Sequence, residues 1–370
     1  MAKINILYLH NKSEISGGEQ SLLALWENLD RDIFAPILIV PSQGEFSLQA
    51  AHKGIEVIYK SFPSVSPINI FSIVHSLFFL RKIIVKKHIH LIHSYTARNN
   101  VLAGLVGRFM HIPVIWHERN ILMKEEKDIT KGFLGLPTAV ICNSRAVARR
   151  LDPHPSKIRI ILNGVDLNKF SPMLVDDYLK KKYNMGDKKV IGIITNLTKR
   201  RRVEYFIEAA VAIHMQEPNT VFVVVGGEFG DEGRLKELAG KAQQLGLGDS
   251  LFFMGRQEDV RPWISIFDVS CHVTSQDACS RSILEAMGMK RAIVAMNDGG
   301  NPELIEHQHS GILVGAFDQN AFVNAILALL RDNSRREELG NNARLRVCQL
   351  FDIKVHARIT QELYQECLRD

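Results

Sequence analysis

The sequence lacks paired cysteines. Its five, Cys142, Cys271, Cys279, Cys348 and Cys367, are scattered, with no CxxC pair. That excludes a disulfide scaffold and a structural zinc site, and it reads as reduced thiols in a cytoplasmic protein. Long apolar runs are also missing. The longest candidate, Ile68 to Leu80, is broken by Asn69, Ser72, His75 and Ser76, short of the roughly 18 residues of a membrane span. The start, MAKINILYLHN, has no small-residue cleavage site and reads as a first β-strand, not a signal peptide. There is no GxGxxG, which argues against a dinucleotide fingerprint. Without an aromatic-interleaved RNP-like motif or a helix-turn-helix signature, nucleic acid is not an expected partner.

What is present is a 370-residue chain of ordinary globular composition, 46% apolar and 23% charged, which predicts about two domains. Its charge is uneven: residues 1–170 carry 21 Lys and Arg against 13 Asp and Glu, or +8, and the remainder carries 25 against 27, or −2. The basic half suits an anionic substrate or membrane surface.

Short Val- and Ile-rich runs alternate with helical stretches throughout. Seven strand candidates precede residue 163, from INILYL (4–9) to IRIIL (158–162). Six follow, from VIGIIT (190–195) to GILVG (311–315). Continuous apolar strands between helices predict parallel sheets covered on both faces, hence two doubly wound α/β domains. Helices are expected over 19–29 and 68–85, and a last one over 359–368. The break lies at 163–189, where NGVDLNKFSP and KKKYNMGDKK supply turn residues and charge. Domains at 1–165 and 166–352 are expected, with the end of the chain, 353–370, packing back on the first. In such sheets ligands sit beyond the C-terminal strand ends.

Four sets of residues stand at those ends. Gly17 and Gly18 follow the first strand and open a helix, where backbone can approach an anion; a plain left-handed turn is the alternative. Lys199, Arg200, Arg201 and Arg202 follow the first strand of the second half and suit a diphosphate, against a solvated basic loop. Asp277 and Glu285 lie in DACSRSILEAM, with Ser280, Arg281 and Ser282 at a helix start where free N–H groups can hold phosphate or sugar oxygens. A carboxylate suits a sugar diol because it accepts two hydroxyl protons. DGGNPELI adds a glycine-rich turn at the same end. Asp30–Arg31–Asp32 reads as a surface helix end and not a metal-binding DxD. His88, His90 and His93 read as part of a buried strand edge. Ser144 lacks a Ser/His/Asp context. The apolar-then-basic stretch INIFSIVHSLFFLRKIIVKKH is either a core-packing helix with a solvated end or a helix touching an anionic bilayer.

GGEQSLL, NGVDLNKFSP, the basic loop before VEYFIEAA, and DACSRSILEAM with DGGNPELI and GILV together resemble glycosyltransferase family 4, retaining enzymes of the GT-B fold. The resemblance implies two Rossmann-like domains facing across a cleft, an acceptor domain first and a nucleotide-sugar donor domain second. It implies Glu285 on the ribose, Asp277 on the transferred sugar, and Asn196 and Arg201 at the family's diphosphate-binding Arg and Lys positions. It maps the family's catalytic-site histidine onto His117 in VIWHERN. It also implies that neither metal nor cofactor is needed, that the acceptor is a saccharide or lipid-linked hydroxyl, and that the protein works in the cytoplasm at the inner face of the membrane, in cell-envelope polysaccharide or glycolipid synthesis. Ala278, Arg202 and Lys290 replace family glycines, Ala292 replaces a proline, and Asn196 loses a cation. These departures motivate an alternative: a catalytically weakened relative that binds sugar nucleotide or a partner enzyme. A sugar-nucleotide 2-epimerase of the same fold is a third reading, disfavoured by NGVDLNKFSP and the Asp277–Glu285 spacing.

Overall fold

The structure is a computed structural model. It describes residues 3–122, 126, 128–151, 155–174, 177–228, 230 and 232–369. The chain forms two compact units, Met1–Gly164 with Ile353–Asp370, and Val165–Asp352.

The first unit is built on seven strands: β1 (Ile4–Leu9), β2 (Phe34–Val40), β3 (Glu56–Tyr59), β4 (Ile89–Tyr95), β5 (Val114–Glu118), β6 (Ala139–Cys142) and β7 (Ile158–Ile160). Their order is β3-β2-β1-β4-β5-β6-β7, every pair parallel. The second unit holds β8 (Lys189–Ile194), β9 (Thr220–Val225), β10 (Leu251–Phe253), β11 (Val269–His272), β12 (Ala292–Met296) and β13 (Ile312–Val314). Its order is β10-β9-β8-β11-β12-β13, again all parallel. Parallel strands need crossovers, and helices supply them. Inner strands such as β2, β6, β9 and β12 are apolar and buried along nearly their whole length because those helices exclude water from both faces, while the edge strands β3 and β7 are partly exposed. In each sheet the order reverses next to the first strand, between β1 and β4 and between β8 and β11, and an open α/β sheet receives its ligand there.

All thirteen expected strands are present. The helices shift at their ends: the expected 19–29 helix is Gly17–Glu27 and the 68–85 helix is Ile70–Lys86. The last helix begins six residues earlier than expected, at Ile353, and runs to Cys367. Its Ala357, Leu363, Tyr364 and Cys367 are buried with Ile6, Tyr8 and Leu91 of the first unit. Gly164, where the chain leaves that unit, meets the start of this helix so closely that a Cβ there would lie 2.7 Å from the Ile353 Cα. The apolar run at Ile68 is also part of a longer element. With the turn Pro67–Asn69, the helix to Lys86 is, among the described residues, the one long and apolar enough by length and composition to cross a membrane.

Candidate functional site

In the second unit, the loop after β8 makes one 3-10 turn, Lys199–Arg201, before the helix Val203–Gln216. Asn196 shapes that turn: its Oδ1 accepts from Thr198 Oγ1 at 2.9 Å. Arg202 sits in the left-handed region at φ +51, a conformation that glycine adopts most readily. Its guanidinium lies 4.0 Å from the centroid of the Phe317 ring. Arg200 Nη2 donates to Gln276 O at 3.4 Å, beside the acidic motif, and Arg201 is turned onto the motif's own carboxylate. Arg201 Nη1 donates to Asp277 Oδ2 at 2.9 Å.

A residue without an assigned role in the sequence completes this group. His272, the last residue of β11, is buried with Nε2 3.2 Å from the same Asp277 oxygen and Nδ1 3.5 Å from the hydroxyls of both Ser280 and Ser282. Burial pushes the Asp277 pKa up, but the His272 and Arg201 contacts outweigh it and hold the carboxyl well below its usual range. DGGNPELI clamps the loop from behind. Gly300 N donates to Asp277 O at 2.8 Å, Gln276 N donates to Asp298 Oδ2 at 3.0 Å, and Gly299, at φ +60, has no room for a side chain.

The helix Arg281–Gly288 follows. Ser280 is its N-cap, and its hydroxyl accepts from Ile283 N. One N–H expected to be free for ligand is thus capped internally. Arg281 Nη2 donates to Glu285 Oε1 at 2.9 Å, one helical turn on. Burial raises the Glu285 pKa against the pull of Arg281. Arg201, Asp277, Ser280 and Ser282 thus share one cluster through His272, and the Arg281–Glu285 pair flanks it.

In the first unit, Gly17 and Gly18 are the opening residues of their helix and neither has positive φ, so the left-handed-turn alternative is not what forms. The anion at this helix N-terminus is internal. Glu19 accepts from Ser16 N at 2.8 Å, and its other oxygen is 3.3 Å from His10 Nε2. A Cβ added at Gly18 would lie 3.7 Å from Arg119 Nε, so this helix start borders an arginine.

Arg119 leads to His117. Arg119 Nη2 donates to Asn163 Oδ1 at 2.8 Å, and Nη1 lies 3.3 Å from His117 Nε2. His117 Nδ1 is 3.2 Å from His93 Nε2, His93 Nδ1 is 2.7 Å from the Tyr364 hydroxyl, and that hydroxyl is 2.8 Å from the hydroxyl of Tyr8. His117, His93, Tyr364 and Tyr8 are buried. Burial, reinforced by Arg119, keeps His117 well below its usual pKa, and burial takes His93 down to about 3. Both rings are therefore neutral, and the direction of the chain follows. Arginine can only donate, so His117 Nε2 accepts and its proton is on Nδ1. That proton goes to His93 Nε2, which puts the His93 proton on Nδ1, facing Tyr364. Tyr364 accepts it and donates to Tyr8. Tyr95 stacks on His117 with centroids 4.8 Å apart. Beside it Thr96 holds φ +77, strain of a kind that gathers at ligand edges. Nothing in the local sequence signals this relay, since Tyr364 stands 271 residues from His93.

The secondary readings resolve locally. Asp30 Oδ1 accepts from Asp32 N in a surface turn, Ser144 caps a short helix through Val147 N, and of the three strand histidines only His93 is buried.

Comparison with known proteins adds three findings. Residues 15–169 match the family described as Glycosyltransferase Family 4, and residues 176–346 match Glycosyl transferases group 1. Among curated relatives, the UDP-Gal:alpha-D-GlcNAc-diphosphoundecaprenol alpha-1,3-galactosyltransferase of Escherichia coli is 25% identical over 78% of each chain. The N,N'-diacetylbacillosaminyl-diphospho-undecaprenol alpha-1,3-N-acetylgalactosaminyltransferase of Campylobacter jejuni is 23% identical over 90% of this chain and 92% of its own. Among solved structures, HepE of Anabaena in complex with UDP superposes with TM-score 0.86 at 21% identity, over 98% of this chain and 100% of its own. A glycosyltransferase from Rickettsia africae reaches TM-score 0.88 at 20% identity, covering all of both chains.

Proposed function

We propose, for a chain that belongs to the group 1 glycosyl transferases of family 4, that it moves a sugar from a UDP-sugar to a saccharide or lipid-linked hydroxyl with retention of configuration and without a metal. The carrying observation is the Arg201–Asp277–His272 cluster beside the Arg281–Glu285 pair, at the ligand edge of the six-stranded sheet. Glu285 would accept two ribose hydroxyls, and Arg201 with the first turn of the Arg281–Gly288 helix would neutralise the diphosphate. The uridine follows the UDP held by HepE and the UDP-Gal in the name of the Escherichia coli relative.

Asp277 would face the transferred sugar, with its carboxylate already shared by Arg201 and His272. That suits a positioning group and not a nucleophile. The donor itself then supplies the base. The bond from the sugar C1 to the phosphate oxygen breaks, the acceptor oxygen bonds to C1 from the same face, and the acceptor proton goes to the departing phosphate. His117, with Nε2 as an acceptor, would take a hydrogen bond from a sugar hydroxyl once Arg119 turns to the ligand. The alpha linkages in both relatives' names are consistent with retention. The five cysteines, none of them in a disulfide, suit the cytoplasm, and a lipid-linked acceptor would place the work at the inner face of the membrane.

The test is calorimetric titration with UDP, GDP and ADP, followed by transfer assays in EDTA with UDP-hexoses and a diphospholipid-linked sugar. UDP is expected to bind most tightly and transfer to survive EDTA. Glu285→Gln and Arg201→Ala should each weaken UDP about ten- to a hundred-fold, the worth of a charge-assisted hydrogen bond. Asp277→Asn should bind UDP and lose transfer. Full transfer in both Glu285→Gln and Arg201→Ala would overturn the assignment, and UDP binding without any turnover would mark a donor-binding protein that has lost catalysis.

A further inference from the structure

A surface helix of a globular unit ordinarily turns a polar face outward. The helix Ile70–Lys86 does not. Its inner stripe, Ile73, Ser76, Leu80 and Ile84, is buried, and it packs against the helix Ala97–Met110 and β4. At 3.6 residues per turn the opposite side gathers Phe71, Val74, Phe78 and Val85 into an arc of about 60°. All four are exposed, Phe71 by 87% and Phe78 by 66%, and Ile68 in the preceding turn by 88%. Arg81 borders one edge of this stripe and Lys82 the other, both exposed.

The surrounding charge has one sign. Residues 57–117 contain no Asp or Glu and seven Lys or Arg. Lys87 is paired with Glu56 from outside that stretch. Arg108 and Phe109, both exposed, end the neighbouring helix with the same combination of cation and large apolar group. An acidic protein would match the cations but leave the apolar stripe unexplained. A second copy of this chain would cover the stripe but bring like charges together. A bilayer with anionic headgroups takes both.

We infer that this face docks on an anionic lipid bilayer, with Phe71, Val74 and Phe78 at the acyl boundary and Arg81, Lys82 and Lys86 among the headgroup phosphates. The helix lies on the membrane and does not cross it, because its inner stripe is committed to the core of the first unit. The use of such docking, bringing the unit to a lipid-linked acceptor, rests on the function proposed above; the face itself does not.

The experiment is co-sedimentation of the full chain with vesicles of phosphatidylcholine alone or mixed with phosphatidylglycerol. Binding should favour the mixed vesicles and fall with salt. Phe71→Ser/Phe78→Ser should weaken it at least about tenfold. Arg81→Gln/Lys82→Gln/Lys86→Gln should weaken it on the order of a hundredfold, at about fivefold per cation. All five positions are exposed, so both variants should keep the wild-type melting temperature and UDP affinity. Three results would overturn the inference: equal binding to neutral and mixed vesicles, undiminished binding by either variant, or a wild-type dimer without lipid that Phe71→Ser/Phe78→Ser dissolves. Vesicle binding by a chain that fails to bind UDP would sink the proposed function and leave this inference standing.

Discussion

Replacing Tyr364 by Phe removes one oxygen from a fully buried relay. Two groups lose their partner: the Nδ1–H of His93, 2.7 Å away, and the hydroxyl of Tyr8, 2.8 Å away. A buried polar group left unpaired costs about 1–3 kcal/mol, so the substitution should cost about 2–6 kcal/mol. For a unit of this size each kcal/mol lowers the melting temperature by about 2–4 °C, which predicts a drop of roughly 5–20 °C. Tyr8→Phe strands only the Tyr364 proton and should cost about 1–3 kcal/mol. The double variant should cost less than the sum, because Tyr8 no longer has a hydroxyl to strand. Nitrogen-15 NMR of the imidazoles reads the same chain directly. In the wild type both His93 and His117 should carry their proton on Nδ1. In Tyr364→Phe, His93 has no acceptor for that proton, and the preference of the pair for Nδ1 should weaken. A Tyr364→Phe protein melting within about 2 °C of wild type would refute the reasoning. So would a wild-type His117 protonated on Nε2.

Acid should unfold the first unit early. Burial takes His10, His93 and His356 to about 4, 3 and 4, below an unfolded value of about 6.5. The unfolded chain binds the protons that the fold refuses, so this stability is complete above pH 6.5 and falls as pH drops, by about 1.4 kcal/mol per pH unit for each ring. A melting temperature that stays flat from pH 7.5 to 5 would contradict it. Lys290 holds φ +56, a left-handed backbone that glycine adopts without strain. Lys290→Gly relieves a strained backbone and should stabilise by up to about 1 kcal/mol, read by urea titration; a lower midpoint would refute it. Arg281→Ala strands the buried Glu285 carboxylate and should cost about 3 kcal/mol. Arg358→Ala, which breaks the largely exposed pair with Glu362, should cost about 0.5 kcal/mol or less, and equal losses would show that burial is not the cause.

The sheets were legible because most strands are short runs rich in Val and Ile between helices, a pattern that admits little besides buried parallel strands. Helix ends were less so. The terminal helix begins at Ile353 where its buried stripe, Ile353, His356 and Ala357, meets the first unit, and that partner lies far away in sequence. The acidic motif could be placed because Asp277, Ser280 and Glu285 occupy one loop and one helix. The Arg202 and Lys290 departures looked like damage to the family pattern, but both sit in the left-handed backbone that glycine would otherwise supply. What could not be read was pairing across the fold. Arg201 and Asp277 are 76 residues apart, and His93 and Tyr364 are 271. His272 was hidden because a lone histidine ending an apolar strand carries no pattern.

The chain leaves the first unit at Gly164 and returns to it only at Ile353. The intervening residues form a unit from one uninterrupted segment, so on the ribosome the second unit can complete before the first. At roughly 5–20 residues per second, the 188 residues of Val165–Asp352 separate Gly164 from Ile353 by about 10–40 s of synthesis. Throughout that interval the nascent first unit exposes the apolar groove reserved for Ala357, Leu363 and Tyr364, and His93 lacks its phenol. A chaperone that engages the nascent chain should therefore bind longest between the exit of β7 and the exit of the helix Ile353–Cys367, and a stop codon just before Ile353 should leave a well-folded second unit attached to an unfinished first one.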